Sequence, residues 1–236
     1  MKNAARAVLT LATVASLLAA ARGVRAQFAP EPLGRAPWSH MHTLLEKTLL
    51  HVDVLTVDIC FDAATATRFA AIAARSPLKG AAADSITRAA LAGRRAVARV
   101  EFQRDVSLAE FLDGVRADLR NAVAAGVMED SVSRVISSGL PRWYAFAAQR
   151  GIRKGDQILY DMEPDAIRTR FFTREGTTPL DNTEHGRGRR NSPMATWLAA
   201  GSEFRSGLLA SLQREGARGG AAAAARCHVP AGRRPT

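Results

Sequence analysis

Period-two alternation of apolar and polar residues marks three stretches of the chain as strands, and helical spacing marks the segments between them. From 49 to 61, Leu55, Val57, Ile59 and Phe61 alternate with Thr56, Asp58 and Cys60, as a half-buried strand requires. Val52 and Val54 fall on the opposite parity, so the pattern slips by one near Val54 and Leu55, as a bulge or burial on both faces would produce. Over 96–103, Ala96, Ala98, Val100 and Phe102 share one side while Arg99, Glu101 and Gln103 share the other. Lys154-Gly-Asp156 reads as a turn into a hairpin, with strands over 157–162 and 166–172 joined at Pro164-Asp165.

Between these strands the spacing predicts short helices over 62–75 and 84–92, the second capped by Asp84 and stopped by Gly93. Ser107-Leu-Ala-Glu110 is a capping box, in which hydroxyl and carboxylate satisfy each other's backbone donors, and the apolar stripe behind it runs to Gly126. Asp130 starts a helix that ends at Gly139, and Pro141 opens a separate one carrying Trp143, Tyr144 and Phe146. The stretch 173–192 reads as a polar loop containing the arginines at 187, 189 and 190, followed by helices over 193–199 and 202–212. Residues 27–43, with Pro30, Pro32, Pro37 and Gly34, read as an extended lead-in. With strands antiparallel and helices grouped between the second strand and the hairpin, the chain is an α+β domain. No glycine-rich phosphate loop follows a strand, which disfavours a dinucleotide-binding fold.

Charge alters this picture little. The net charge of +11 includes four cations and no acid in residues 1–26, leaving +7, of which the tail from Arg214 holds +4 and the body between holds +3. That balance gives no reason to expect nucleic acid as a partner, which needs clustered Lys and Arg. Lys2 and Arg6 precede an apolar run from Ala7 to Ala21, and Val24-Arg25-Ala26 closes it, so residues 1–26 read as a signal peptide cleaved before Gln27. The mature protein is then expected in the periplasm or outside the cell, with no transmembrane segment, and monomeric or weakly associating. Residues 214–236, rich in Gly, Ala and Arg, read as a disordered tail. Cys60 and Cys227 are the two cysteines; a bond from a core strand to a tail has no framework logic, so Cys60 is expected as a buried free thiol.

Four segments, taken in order, carry a family resemblance: Val52-Asp-Val-Leu-Thr-Val-Asp58; Arg99 to Ser107 with Leu108-Ala-Glu-Phe111 behind it; Lys154-Gly-Asp156; and Gly201-Ser-Glu-Phe-Arg-Ser-Gly-Leu208. Over about 44–213 the chain resembles chalcone isomerase-like proteins, particularly exported bacterial members. The resemblance implies an open-faced β-sandwich, a long antiparallel sheet covered by a helical layer with a ligand cleft between them. The family's isomerases use an early-strand Arg and Thr and a helical Tyr and Asn. Here Leu55 stands where the Thr would fall, Phe111 where the Tyr would lie and Asp118 where the Asn would lie, and Arg35 is the only arginine between Gln27 and Leu55. Phenylalanine cannot donate to a developing oxyanion, so no catalytic residue, cofactor or metal is assigned. Other family members bind fatty acids through an Arg and a Tyr. By that analogy the ligand-binding residues are Arg99, Arg104, Phe111 and Tyr160, and the partner is an apolar or fatty-acid ligand. The alternatives are an intramolecular lyase or isomerase with a rearranged cleft, and a structural envelope protein without ligand.

Several further groups have plainer readings. His40 and His42, even with His51, fall short of the ligand set of a functional zinc site. Ser107 and Ser202 read as helix caps rather than nucleophiles, and Asp161 and Glu163 as the polar exterior of the hairpin.

Overall fold

The computed structural model describes residues 38–47 and 52–217, which belong to one compact unit. The expected signal peptide, most of the lead-in, His51 and the tail beyond Ala217 lie outside the described residues.

Six strands form one antiparallel sheet in sequence order: β1 (Ser39–Lys47), β2 (Val52–Phe61), β3 (Ala96–Phe102), β4 (Gln157–Glu163), β5 (Ala166–Phe172) and β6 (Leu180–His185). Successive side chains of a strand point to opposite faces, and the register makes each face continuous. Val57, Val100, Ile158 and Phe171 lie in one cross-strand row, and Phe61, Ala96, Met162 and Ile167 in another, all buried in one apolar core. Asp58 and Arg99 stand opposite each other on the outer face. Leu45 pairs with Leu55 but Glu46 with Asp53, so Val54 is the extra residue of a bulge, at the parity slip.

The helices among the described residues are α1 (Ala63–Ala73), α2 (Gly80–Ala92), α3 (Leu108–Ala124), α4 (Asp130–Trp143), α5 (Arg187–Leu198) and α6 (Arg205–Ala217), with a 3-10 turn at Ala145–Ala147. They supply the other half of the core: Phe69, Ile86, Leu119, Leu140, Leu198 and Leu208 pack with the strand residues. The architecture is therefore α+β, an antiparallel sheet with a helical layer. Ser107 and Glu110 close the capping box of α3, the Ser107 hydroxyl accepting from the Glu110 amide at 3.2 Å. No helix among the described residues is long and apolar enough to cross a membrane.

Several boundaries differ from those expected. The lead-in becomes strand from Ser39 onward, because β1 pairs with all of β2. Its free edge is covered by α6: Gly207 packs where a Cβ would collide with Thr43, and the His42 amide donates to the Ser211 hydroxyl at 2.8 Å. The two helices expected on either side of Gly139 are one, since Pro141 falls in the last turn of α4, close enough to its end that the missing donor does not break it. Asp84 lies inside α2 and pairs with Arg205 of α6 instead of capping.

The largest difference is at 173–192. This segment is β6 and the first half of α5 rather than a loop. Arg190 is 1% exposed, its Nε donating to the Glu163 carbonyl at 3.1 Å and its Nη1 to Asn191 Oδ1 at 2.7 Å, and burial pulls its pKa down. Cys60 is half-buried and disulfide-bonded rather than a free thiol, and Cys227, the chain's other cysteine, lies outside the described residues. The helix over 205–217 also takes in Arg214 and Glu215, which were expected in the tail.

Candidate functional site

A cleft of about 110 Å³ lies between the inner face of β4–β6 and helices α3, α4 and α5. Phe111, Val115 and Leu119 reach it from α3, and Ile136, Leu140 and Trp143 from α4. Pro193 and Trp197 of α5 and Ile167 and Leu180 of the sheet complete its apolar walls. The wall on α4 depends on Gly139, where a Cβ would stand 2.6 Å from the Trp143 ring. Phe111 packs edge-on against Tyr144 with ring centroids 4.8 Å apart, and Tyr160 against Trp197 at 5.6 Å.

Across the floor runs a row of different chemistry. Tyr160 pairs with Thr169, and Thr169 with Asn182, so a phenol, a hydroxyl and a carboxamide stand side by side on β4, β5 and β6. Apolar rows flank it: Ile158, Phe171 and Leu180 on one side, Met162 and Ile167 on the other. The Tyr144 and Tyr160 hydroxyls interact with each other; burial pushes the Tyr160 phenol up to about 12 and the Tyr144 phenol well above its ordinary range. Both therefore remain protonated hydrogen-bond donors at neutral pH. Thr169 and Asn182 form no side-chain hydrogen bond with any other described residue. By contrast, the hydroxyls of Ser192 and Thr196 donate to the Arg189 and Pro193 carbonyls at 2.8 and 2.9 Å.

The lining contains two carboxyl groups, Asp118 and Glu184, and no Lys, Arg or His. Arg189 stands beside Glu184, Nη2 at 3.3 Å from Oε1. Burial pushes the Glu184 carboxyl up and the Arg189 charge partly offsets this.

Of the four residues proposed from sequence, Phe111 and Tyr160 meet in this cleft, while Arg99 and Arg104 lie outside its lining. Arg99 points from the outer face and donates to Asp58 Oδ2 at 3.2 Å. Arg104 follows β3 and donates to the Asp105 carbonyl at 3.1 Å. Asp118 lines the cleft, as does Tyr144, whose ring packs against Phe111. Thr169, Asn182 and Glu184 were not foreseen. The signal that could have found them is a strand-length segment, Leu180 to His185, with only one apolar residue, directly after a confident hairpin.

A second polar constellation sits on the outer face. His40, 2% exposed, has Nε2 at 2.9 Å from Asp58 Oδ1 and Nδ1 at 2.9 Å from Glu215 Oε1. His42 Nδ1 is 2.9 Å from the same Asp58 oxygen. With an acceptor at each ring nitrogen, His40 is held as a cation: burial opposes its charge, but the two carboxylates outweigh burial and raise its pKa. Burial likewise opposes the Asp58 charge, and the two histidines and Arg99 outweigh it and lower its pKa strongly. Among the described residues no group of three or more His, Cys, Asp or Glu is arranged to hold a metal ion.

Comparison with known proteins gives a likeness to solved structures only, at low identity. No family model matches the chain, and no curated protein is similar to it. Among solved structures it is similar to a fatty-acid binding protein of Arabidopsis thaliana. The TM-score is 0.49 at 11% identity, over 76% of this chain and 86% of that one.

Proposed function

We propose that this chain is an exported, non-catalytic binding protein that holds an apolar ligand, of the class of fatty acids and their neutral derivatives, between sheet and helices. The observation that carries the reading is the cleft itself: aromatic and aliphatic walls from three helices enclose a floor with a few placed polar groups, the usual composition of a small-molecule site. Its 110 Å³ is below the roughly 150 Å³ of a cavity that accepts benzene. It thus seats the head of a ligand and its adjoining carbons, with the remainder running out past Trp143 or parting the helices. Export rests on the basic and apolar run of residues 1–26, and the disulfide at Cys60 fits an oxidising compartment.

Native mass spectrometry of protein purified from the periplasm tests both parts. The expected result is a mature chain starting at Gln27 that carries an apolar molecule of low mass. Ligand-free protein that also fails to bind Nile red would defeat the binding reading, and an intact residue 1–26 segment would defeat the export reading.

One observation favours a second reading, an intramolecular lyase or isomerase. The Tyr160 phenol, backed by Tyr144, together with Asn182 could polarise a carbonyl, with Glu184 as the base. Turnover of a chalcone by the purified protein, lost in Tyr160→Phe, would establish it.

A further inference from the structure

We propose that residues 218–227 of this chain dock on the outer face of the sheet as a strap, running from the end of α6 across β1 to a disulfide between Cys227 and Cys60. The inference is independent of the binding reading, since it concerns the opposite face of the sheet.

Its starting point is one cross-strand row. His40, Cys60, Val97 and Asp161 stand side by side on β1, β2, β3 and β4, with their side chains on the outer face. His40 is 2% and Val97 6% exposed, whereas the second face of an antiparallel sheet with one helical layer is ordinarily solvated. That depth calls for a cover. α6 meets the row through Glu215, whose Oε1 stands 2.9 Å from His40 Nδ1. Glu215 is itself 9% exposed, with its Oε2 buried and unpartnered, so the end of α6 is enclosed as well. The segment that follows α6 in the chain is the one placed to enclose all three.

The covalent chemistry agrees. Cys60 is disulfide-bonded, and Cys227 is the only other cysteine of the chain. α6 ends at Ala217, and ten residues lead from there to Cys227, a reach of up to about 33 Å. Paired residues of neighbouring strands lie only about 4.5–5.5 Å apart, so the path from Glu215 over His40 to Cys60 is spanned with chain to spare. Between Arg218 and Arg226 that segment holds only Gly219, Gly220 and the alanines 221–225, which let a backbone lie close on a sheet. The strap fastens the far end of the helix that covers the free edge of β1 through Gly207 and Ser211. Reduction by a dithiol leaves two thiols on the chain and a cyclic disulfide on the reagent, and it releases the strap together with the last turns of α6.

The full chain, purified under oxidising conditions, is compared with Cys227→Ser by trypsin digestion and by hydrogen exchange, both read by mass spectrometry. Before reduction, a monomer in which the Cys60 and Cys227 peptides are linked is expected. Cleavage after Arg218 should be at least tenfold slower in the parent than in Cys227→Ser. Amides over 211–217 should exchange at least tenfold faster in the variant, those of α3 remaining unchanged. Circular dichroism confirms that the variant is folded; if it is not, the parent treated with dithiothreitol takes its place. A bond from Cys60 to a second copy of the chain, equal cleavage after Arg218, or equal exchange in α6 would overturn the proposal, equal cleavage in particular showing a tail that is tethered without being docked.

Discussion

On the outer face of β2 and β3, Asp58 is surrounded by His40, His42 and Arg99, each within 3.2 Å, and His40 passes the network on to Glu215. Two strands further along, on the inner face, Thr169 and Asn182 have no side-chain partner at all. The outer residues are charged and joined to one another, with only Glu215 Oε2 of the network buried and unpartnered; the inner ones are neutral, half-buried and open to the cleft. A half-buried polar group that is fully paired is explained by the fold, since it joins β1, β2, β3 and α6. One that is half-buried and lines a cleft is instead open to water or to a ligand. The contrast assigns structure to the first region and recognition to the second, and substitutions in the two regions should differ in sign as well as size.

The largest effect is expected at His40. Its side chain separates two carboxylates, so His40→Leu leaves Asp58 and Glu215 facing each other without the intervening cation. Removing one member of a buried ionic group costs about 3 kcal/mol or more. Urea denaturation at pH 6 should show that loss, with ligand binding in the cleft preserved. A loss below about 1 kcal/mol would mean that the network is an ordinary surface cluster.

The same network predicts a pH profile. Because His40 has its pKa raised on folding, its contribution is complete below its unfolded value near 6.5 and disappears as the pH rises through the higher folded value. Asp58 is shifted downward, so its contribution is complete above its unfolded value of 3.8 and is lost as the pH falls toward the lower folded one. Stability should therefore be greatest between about pH 4 and 6.5 and decline on the alkaline side by about 1.4 kcal/mol for each unit by which His40 is raised. Denaturation series at pH 5.5 and pH 9 on the parent and on His40→Leu check it, the alkaline decline being absent from the variant.

Much of this architecture was legible in the sequence, for a definite reason. Wherever one face of an element is apolar and the other polar, as in β2, β3 and α3, the periodicity survives and the element can be read, down to the slip at Val54. Tyr160 and Phe111 were reached through the family resemblance. What could not be read is the segment in which the inward positions are polar. In β6 they are Leu180, Asn182 and Glu184, so the alternation that marks a strand is missing because two of the three serve the cleft. Arg190 misleads in the same way, a buried cation that donates to the Glu163 carbonyl at the end of β4 where its neighbours in sequence suggest solvent. β1 was obscured by prolines just upstream and by His40 and His42, whose ring partners lie 16 to 175 residues away in sequence. Departures from local pattern thus concentrate at groups whose partners are distant or external.

A smaller effect sharpens the view of the cleft wall. Gly139→Ala gains helix propensity of about 1 kcal/mol, but its Cβ would stand 2.6 Å from the Trp143 ring, forcing the ring to move. Overpacking costs of about 1–3 kcal/mol exceed the gain, so a net loss near 1 kcal/mol is expected, together with a changed Trp emission maximum. An unaltered spectrum and raised stability would show that Trp143 is free to leave the wall.

The smallest expected effect distinguishes the two regions most sharply, because its sign is reversed. Thr169→Val replaces a hydroxyl that has no described partner by a methyl of nearly the same size, beside apolar Phe171 and Ile167 on the same strand. When a half-buried hydroxyl has no protein partner, substituting an apolar group of equal shape is neutral or stabilising, so ligand-free protein should gain about 0.5 kcal/mol. The added β-branched methyl suits the strand equally well, leaving the lost hydroxyl as the main difference. With Nile red present the order should invert, because the parent alone gains the full stabilisation of a bound ligand. Paired melting curves with and without Nile red read both signs. If Thr169→Val instead destabilised the ligand-free protein by 1 kcal/mol or more, Thr169 would be serving the fold, and the division between a structural outer face and a recognising inner face would fail at its central residue.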